Sequence, residues 1–104
     1  MRKINHIGIP TDKEQSAEIY LEGIKCYITD FNESPNKIEW LRFEDGSDFP
    51  ELIQKSAHIA YEVENLEEEL KGKNLLVEPF DSNENLTIAF IEEEGAPIEL
   101  MHFH

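Results

Sequence analysis

Two short motifs each occur twice in this chain, and each copy carries the same ionisable residue at the same position. Residues 5–8 (Asn-His-Ile-Gly) recur as 57–60 (Ala-His-Ile-Ala), and residues 38–41 (Ile-Glu-Trp-Leu) recur as 98–101 (Ile-Glu-Leu-Met). A duplicated structural unit is the simplest account of such a repeat. Pseudo-symmetric packing of two units would bring two His and two Glu to one point, which restricts both the fold and the chemistry.

The first half of the chain has the pattern of a strand, a helix and a hairpin. Alternating residues predict a strand over 3–9 that ends at Pro10, and the apolar spacing after Asp12 predicts a helix over about 13–22. Two β-rich stretches follow, residues 26–31 and 37–43, separated by a polar turn. This order is a βαββ unit with one strand fewer than its counterpart.

The second half repeats the pattern with one more strand. Residues 57–63 form the second His strand, and Asn65 caps a short acidic helix over 66–71. Three further strands are predicted at 75–80, 86–91 and 97–103. We therefore expect a single α+β domain, with module one over about 1–48, a connector at 49–55 and module two over 56–104. Its mixed sheet would curve around a cleft, with helices on the outer face.

Composition narrows the classes of partner. The 104 residues carry a formal net charge of -14, with nine basic residues against twenty-three acidic ones. Nucleic-acid binding needs clustered basic residues, so this balance excludes it. No apolar run approaches the roughly 20 residues of a membrane span. The single Cys26 cannot form an intrachain disulfide, which favours a reducing, cytoplasmic location. Its strand context indicates a packing role and not a nucleophile.

Strand alternation places both glutamates on apolar faces. Glu39 shares its strand face with Leu41 and Phe43. In the same way, Glu99 shares its strand face with Met101 and Phe103. Such a carboxylate points towards a core or cleft. Four aromatic or sulphur-containing side chains are candidates for lining that cleft: Phe43, Phe90, Met101 and Phe103.

The histidine strands are unusually empty on the side that carries the imidazole. His6 is followed on the same face by Gly8, and His58 by Ala60. A cavity is expected there. Two imidazoles and two carboxylates in an apolar cavity are costly unless they are paired or neutralised. One divalent cation, bound by His6, Glu39, His58 and Glu99, would solve this problem. It would leave one or two coordination positions open, as in catalytic sites.

Three segments of the chain resemble one protein superfamily. They are the His-Ile-Gly-Ile opening at 6–9, the segment Ala-His-Ile-Ala-Tyr-Glu-Val-Glu-Asn-Leu at 57–66, and Ala-Pro-Ile-Glu-Leu at 96–100. Together they resemble the vicinal oxygen chelate superfamily, which includes glyoxalase I, methylmalonyl-CoA epimerase, fosfomycin-resistance proteins and bleomycin-binding proteins. The resemblance implies paired βαβββ modules around a cleft, with the metal ligands on the first and last strands of each module.

The carboxylate of the first module has two candidates. Glu39 lies in the last predicted strand of its module, as Glu99 does, but Glu51 would take its place if residues 49–54 formed that last strand. We prefer Glu39, because a strand at 49–54 would run into the His58 strand with almost no connection. His102 and His104 are expected to be solvated at the C-terminus, although they could bind metal adventitiously.

The expected function follows from these ligands. A nickel, zinc, manganese, cobalt or iron ion would chelate a small substrate through two adjacent oxygens and stabilise the enediolate formed when the neighbouring C–H is deprotonated. The resemblance to glyoxalase and epimerase members implies that Glu99, or Glu39 across the pseudo-two-fold axis, would be the base. This predicts a glyoxalase-like lyase, isomerase or epimerase that acts as a homodimer. The alternatives are a metal-free antibiotic-binding protein and, less favoured because of the fourth ligand, a ring-cleaving dioxygenase.

Overall fold

The computed structural model of the chain describes all 104 residues and shows a mixed α+β fold that is mostly sheet. There are eight strands and two short helices, in this order: β1 (Lys3–Pro10), β2 (Ile19–Leu21), β3 (Cys26–Ile28), β4 (Ile38–Phe43), α1 (Glu51–Lys55), β5 (His58–Glu62), α2 (Leu66–Leu70), β6 (Asn74–Asn83), β7 (Leu86–Glu93) and β8 (Ala96–Phe103). Each helix has five residues, too few to cross a bilayer.

All eight strands belong to one curled, half-barrel sheet with the order β2-β3-β4-β1-β5-β8-β7-β6. The two histidine strands, β1 and β5, are antiparallel neighbours at its centre. Each is flanked by a parallel glutamate strand, β4 beside β1 and β8 beside β5. The expected mixed, curved sheet is therefore confirmed.

The register of the two parallel pairs is the same. Gly8, two residues after His6, lies opposite Glu39, and Ala60, two residues after His58, lies opposite Glu99. Paired residues in a sheet project to the same face. Consequently, all four ionisable side chains are on one face of the sheet, which is its concave face.

Hydrophobic clusters cover both faces of the second half. The concave face carries the cluster Ile53, Ala60, Leu86, Ile88, Phe90 and Met101. The convex face carries Val63, Ile91, Ile98 and Leu100, against which α2 packs through Leu66 and Leu70. Only α2 therefore lies on the outer face. The expected position of the helices on the outer face is confirmed for α2. The additional helix α1, which forms within the predicted connector, packs its fully buried Ile53 into the concave cluster instead.

The helix predicted over 13–22 does not form. The Thr11 hydroxyl accepts a hydrogen bond from the Lys13 backbone N–H, and Ala17 has a positive φ of 59°. The apolar residues at the end of this segment form β2 and pair with β3. The first half therefore has four strands and lacks an α-helix. The prediction that it is one strand short is wrong, since cross-strand pairing outweighs the weak helical propensity of this segment.

Most of the other predicted elements are confirmed. β3 and β4 form the expected antiparallel pair, and the segment after Pro50 forms one short helix. In the second half, the Asn65 side chain accepts a hydrogen bond from the Glu68 N–H and caps α2 as predicted. The strands β6, β7 and β8 then follow as an antiparallel meander.

Candidate metal centre

Four side chains from four adjacent strands meet on the concave face of the sheet. They are His6 from β1, Glu39 from β4, His58 from β5 and Glu99 from β8, and one ligand atom of each lies within 4.8 Å of the others. His6, His58 and Glu99 are buried, and Glu39 is nearly so, with 14% of its side chain exposed. The structure thus brings together all four residues that the repeat singled out.

Glu99 is the central member of this cluster. Its Oε1 lies 3.0 Å from His58 Nε2, a hydrogen bond, and 3.5 Å from His6 Nε2, which is too far for a good one. Burial raises the pKa of Glu99, but its interactions with both imidazoles outweigh this effect and lower that pKa to about 2. Glu99 is therefore a carboxylate at neutral pH.

Glu39 is held more loosely. Its contact within the cluster is from Oε1 to His6 Nε2, at 3.7 Å. Burial and the nearby negative charge of Glu99 raise the pKa of Glu39 to about 7, and His6 opposes them only weakly. The two carboxylates therefore differ: Glu99 keeps its charge, whereas Glu39 can gain or lose a proton near neutral pH.

His6 is supported on its ring face and at one ring nitrogen. The ring of Phe31 stacks on the imidazole with centroids 4.1 Å apart and planes at 8°. The Asn5 Oδ1 lies 2.7 Å from His6 Nδ1, and the Asn5 amide in turn donates to Glu62. At the other nitrogen, Nε2 is buried and has no hydrogen-bond partner.

His58 lies over Gly8, in space that only a glycine leaves free. A Cβ at residue 8 would lie 2.1 Å from His58 Cε1. The predicted emptiness beside His6 is real, but the opposing imidazole fills it. Phe90 contacts the same ring edge-on, with centroids 5.2 Å apart. Steric contacts therefore fix the position of His58.

A divalent cation suits this donor set. Neither carboxylate interacts with a lysine or arginine, so two ionised glutamates would leave the buried cluster without a cation to balance them. Ligand atoms about 2.0–2.2 Å from a transition metal can lie up to about 4.4 Å apart. The observed spread of 4.8 Å needs only a small contraction. His6 Nε2 also has no hydrogen-bond partner, and it lies 3.5 Å from Glu99 and 3.7 Å from Glu39, the carboxylates that would share an ion with it.

The cluster forms the floor of a cavity of about 340 Å³ between the two ends of the curled sheet. Glu39, His58 and Glu99 reach this cavity. The walls are mainly apolar and come from residues Leu21, Ile24, Ile28, Leu41, Phe49, Phe80, Ile88 and Phe90. Asp81 and Ser82 are the polar side chains that line it away from the cluster, and no basic side chain does so.

The other predicted site residues lie elsewhere. Glu51 is exposed on α1, where it pairs with Lys55, so it does not join the cluster. Cys26 is buried, and burial raises the pKa of its thiol to about 12, in keeping with the expected packing role. His102 bonds to a backbone carbonyl and His104 to a threonine, both away from the site.

The predicted cleft lining was right for one residue of four. Phe90 lines the cavity, whereas Phe43 and Met101 pack in the concave core and Phe103 is half exposed. Sequence reasoning missed Phe31, since nothing in the sequence reveals which turn residue will cover a strand. It also missed Asn5, although Asn5 is the polar residue that the second copy of the motif lacks.

Comparisons with known proteins reveal the fold and no more. The structure is similar to the crystal structure of hypothetical protein BH1468 from Bacillus halodurans C-125, with a TM-score of 0.73 and 20% sequence identity. The match covers 99% of this chain and 95% of that one. Neither the comparison with protein-family profiles nor the one with curated proteins finds a match.

Proposed function

We propose that this protein is a metal-dependent lyase, isomerase or epimerase of the glyoxalase type, acting on a small substrate with two adjacent oxygens. One observation carries the proposal: two His and two Glu converge within 4.8 Å on the floor of an apolar cavity. Such a site can bind an ion through the protein and leave the cavity side open to a substrate. The cation would be nickel, zinc, manganese, cobalt or iron, which imidazole and carboxylate ligands accept.

A duplicated module is part of the same proposal. In each half the glutamate strand is parallel to the histidine strand, and the glutamate lies opposite the residue two positions after the histidine. Two units related by a pseudo-two-fold axis would account for the same strand pairing and the same register in both halves. They also account for the repeated sequence motifs, as in the vicinal oxygen chelate proteins that the sequence resembles.

The two carboxylates have different roles in this mechanism. A bound divalent cation supplies Lewis-acid polarisation of a substrate carbonyl, which makes the adjacent C–H more acidic. Glu99 lies close to both imidazoles, so it would stay in place as a ligand of the ion. Glu39 has one contact at 3.7 Å and reaches the cavity, so it is free to accept the proton from carbon. It then returns this proton to the neighbouring carbon or oxygen of the substrate.

The cavity restricts the substrate. A volume of about 340 Å³ lies at the lower end of the range for small-molecule sites. Its walls hold no lysine or arginine that could pair with a phosphate or carboxylate. The net charge of -14 adds to the repulsion of anions. We therefore infer an uncharged substrate with an apolar body, and not a coenzyme A or glutathione conjugate.

Metal content is the first test. Elemental analysis of protein purified without an affinity tag should give about one equivalent of a transition metal per chain. The His6→Ala/His58→Ala double variant should contain none, because it lacks both nitrogen donors. Absence of metal from the wild type, even after incubation with zinc, nickel and manganese at neutral pH, would overturn the proposal.

Proton abstraction is the second test. The metal-loaded protein in deuterium oxide should exchange the C–H protons of hydroxymethyl phenyl ketone, an uncharged α-hydroxyketone, which NMR would follow. The para-carboxylate derivative of the same ketone should exchange much more slowly, because the cavity offers its charge no partner. Equal rates for the two compounds would contradict the inferred substrate class.

One observation favours a second candidate, a metal-free protein that binds small apolar molecules as bleomycin-binding proteins do. His58 and Glu99 already satisfy each other with a hydrogen bond of 3.0 Å, and the apolar walls need no metal to hold a ligand. This candidate predicts that an apolar ligand binds equally well to the wild type and to the metal-free His6→Ala/His58→Ala variant.

A further inference from the structure

The two histidines differ in what supports them, although their strands repeat. His6 Nδ1 lies 2.7 Å from Asn5 Oδ1, whereas His58 Nδ1 is buried without a partner. The residue before His58 is Ala57, which can offer no such bond. The first half therefore contains a hydrogen-bonded support that the second half lacks.

An irregularity in β1 makes this support possible. In a regular strand, consecutive side chains point to opposite faces, so Asn5 could not reach the ring of His6 on the concave face. The pairing of β1 with β5 shifts register between Ile4 and His6, which is a β-bulge at Asn5. A bulge redirects a side chain at the cost of one unpaired residue. Here it turns Asn5 towards the imidazole.

Glu62 determines which way the Asn5 amide faces. The Asn5 Nδ2 lies 2.8 Å from Glu62 Oε2, and a carboxylate can only accept a hydrogen bond. The amide nitrogen must therefore point to Glu62, and the amide oxygen must point to His6. Since that oxygen is also only an acceptor, His6 Nδ1 must carry the hydrogen.

We propose that Asn5 and Glu62 are positioning residues that hold His6 protonated on Nδ1. Its Nε2 is then unprotonated and faces Glu39 and Glu99 with a lone pair that can bind a cation. The structure supports this in two ways. Nε2 lies 3.5 Å from Glu99 and 3.7 Å from Glu39, the two groups that would share an ion with it. Nε2 also has no other hydrogen-bond partner. Support of this kind behind a ligating histidine fixes its tautomer and raises its affinity for metal.

The test uses metal-free, full-length protein labelled with ¹⁵N in its histidines. Long-range ¹H–¹⁵N correlation spectra, at a pH where titration shows the His6 ring to be neutral, report which ring nitrogen carries the hydrogen. The His6→Gln variant assigns the signals. We expect His6 to carry its hydrogen on Nδ1 in the wild type and to shift towards the Nε2-protonated form in Asn5→Ala.

A matched control is available in the same chain. The Asn74 side-chain amide donates a hydrogen bond to the Glu92 carboxylate at 2.9 Å, as Asn5 does to Glu62. However, Asn74 lies at the exposed edge of the sheet. Asn74→Ala should leave the His6 tautomer unchanged. The double variant Asn5→Asp/Glu62→Gln reverses the hydrogen bond between the two positions. The new carboxylate at position 5 accepts from His6, and the new amide at position 62 donates to that carboxylate, so the Nδ1-protonated form should be restored. That restoration distinguishes hydrogen bonding from a packing effect.

Metal affinity is the second readout, and it separates this inference from the proposed function. Zinc titration should show a loss of about 10- to 100-fold in affinity for Asn5→Ala, the range for residues that support a ligand. An unchanged tautomer in Asn5→Ala would overturn the inference. If the tautomer shifts but the wild type binds no metal, the support by Asn5 stands, and the metal-dependent function fails.

Discussion

The two halves of the sheet deliver the same two residues to the site but hold them by different means. In the second half, Glu99 is buried and hydrogen-bonded to His58, which is fixed by contact with Gly8 and Phe90. In the first half, Glu39 makes one long contact, and His6 depends on a stacked ring and a hydrogen bond. Strand register therefore sets where the donors lie, and local packing sets how firmly each is held.

In the proposed mechanism, this difference separates two roles. The rigid half would hold ligands that must stay in place, and the looser half would hold the group that moves a proton. The secondary structure follows the same trend. β7 and β8 in the second half have eight residues each and are largely buried, whereas β2 and β3 in the first half have three residues each.

The largest effect that would sharpen this comparison is on the glutamates. Glu39→Gln should lower turnover by about 10²- to 10⁴-fold, the usual contribution of a general base, while zinc remains bound. Glu99→Gln should instead weaken zinc binding strongly, because it removes the ligand that contacts both imidazoles. Zinc titration and the deuterium exchange assay measure the two effects. If Glu99→Gln kept its metal and lost only turnover, the roles would be reversed.

Only part of this difference between the two halves could be predicted from the sequence. The convergence of two His and two Glu could be predicted, because the motif repeats and strand alternation assigns each side chain to a face. The difference between Glu39 and Glu99 in how closely they contact the histidines could not be predicted. It depends on distances that differ by a few tenths of an ångström.

The predicted helix over 13–22 shows a second limit. Its apolar spacing fits a helix, but Ile19, Tyr20 and Leu21 also fit a short strand, and only the presence of β3 decides between the two. The same is true of α1. Five residues around Ile53 cannot reveal which face of the sheet they will cover, because that depends on the path of the chain between β4 and β5.

Ile53→Ala should break the packing of the rigid half. Ile53 is fully buried in the concave cluster, so its truncation leaves a cavity and should cost about 4 kcal/mol of the free energy of unfolding. Ile59 lies half-buried on the convex face, and Ile59→Ala should cost about half as much or less. Urea denaturation measures both. Equal losses would show that α1 adds little to the core beneath the site.

Gly8→Ala should disturb the contact between the halves. The new methyl group would lie 2.1 Å from the His58 ring, which Phe90 prevents from moving freely. We expect a loss of about 3 kcal/mol in stability from overpacking, together with weaker zinc binding. Gly23→Ala is the control, since its methyl group would meet nothing within 4 Å. A Gly8→Ala protein with wild-type stability and zinc affinity would contradict the steric role of Gly8.

The smallest expected effect concerns the charges that join the halves. Arg2 and Lys73 lower the pKa of Glu93 from 4.5 to about 2. Since the folded state holds the carboxylate more acidic, this stabilisation is complete above about pH 4.5 and is lost as the pH falls towards 2. Glu93→Gln should remove it, at a cost of about 1 kcal/mol at pH 7.

Thermal unfolding of Glu93→Gln between pH 2 and 7 measures this effect. The difference in melting temperature from the wild type should shrink as the pH falls, because acid removes the same charge from the wild type. Glu94→Gln is the control, as Glu94 is exposed and makes no ion pair. A difference that does not change with pH would mean that Glu93 contributes through packing.

The origin of the four donors in β1, β4, β5 and β8 has a consequence for how the protein folds. Residues 6, 39, 58 and 99 span nearly the whole chain, so no local segment can contain the site. Contacts so distant in sequence are slow to form, and the two parallel strand pairs close only after their long connections are ordered. An ion held by donors from several of these strands would bind the native state and not the unfolded chain. It would therefore raise the melting temperature as its concentration rises.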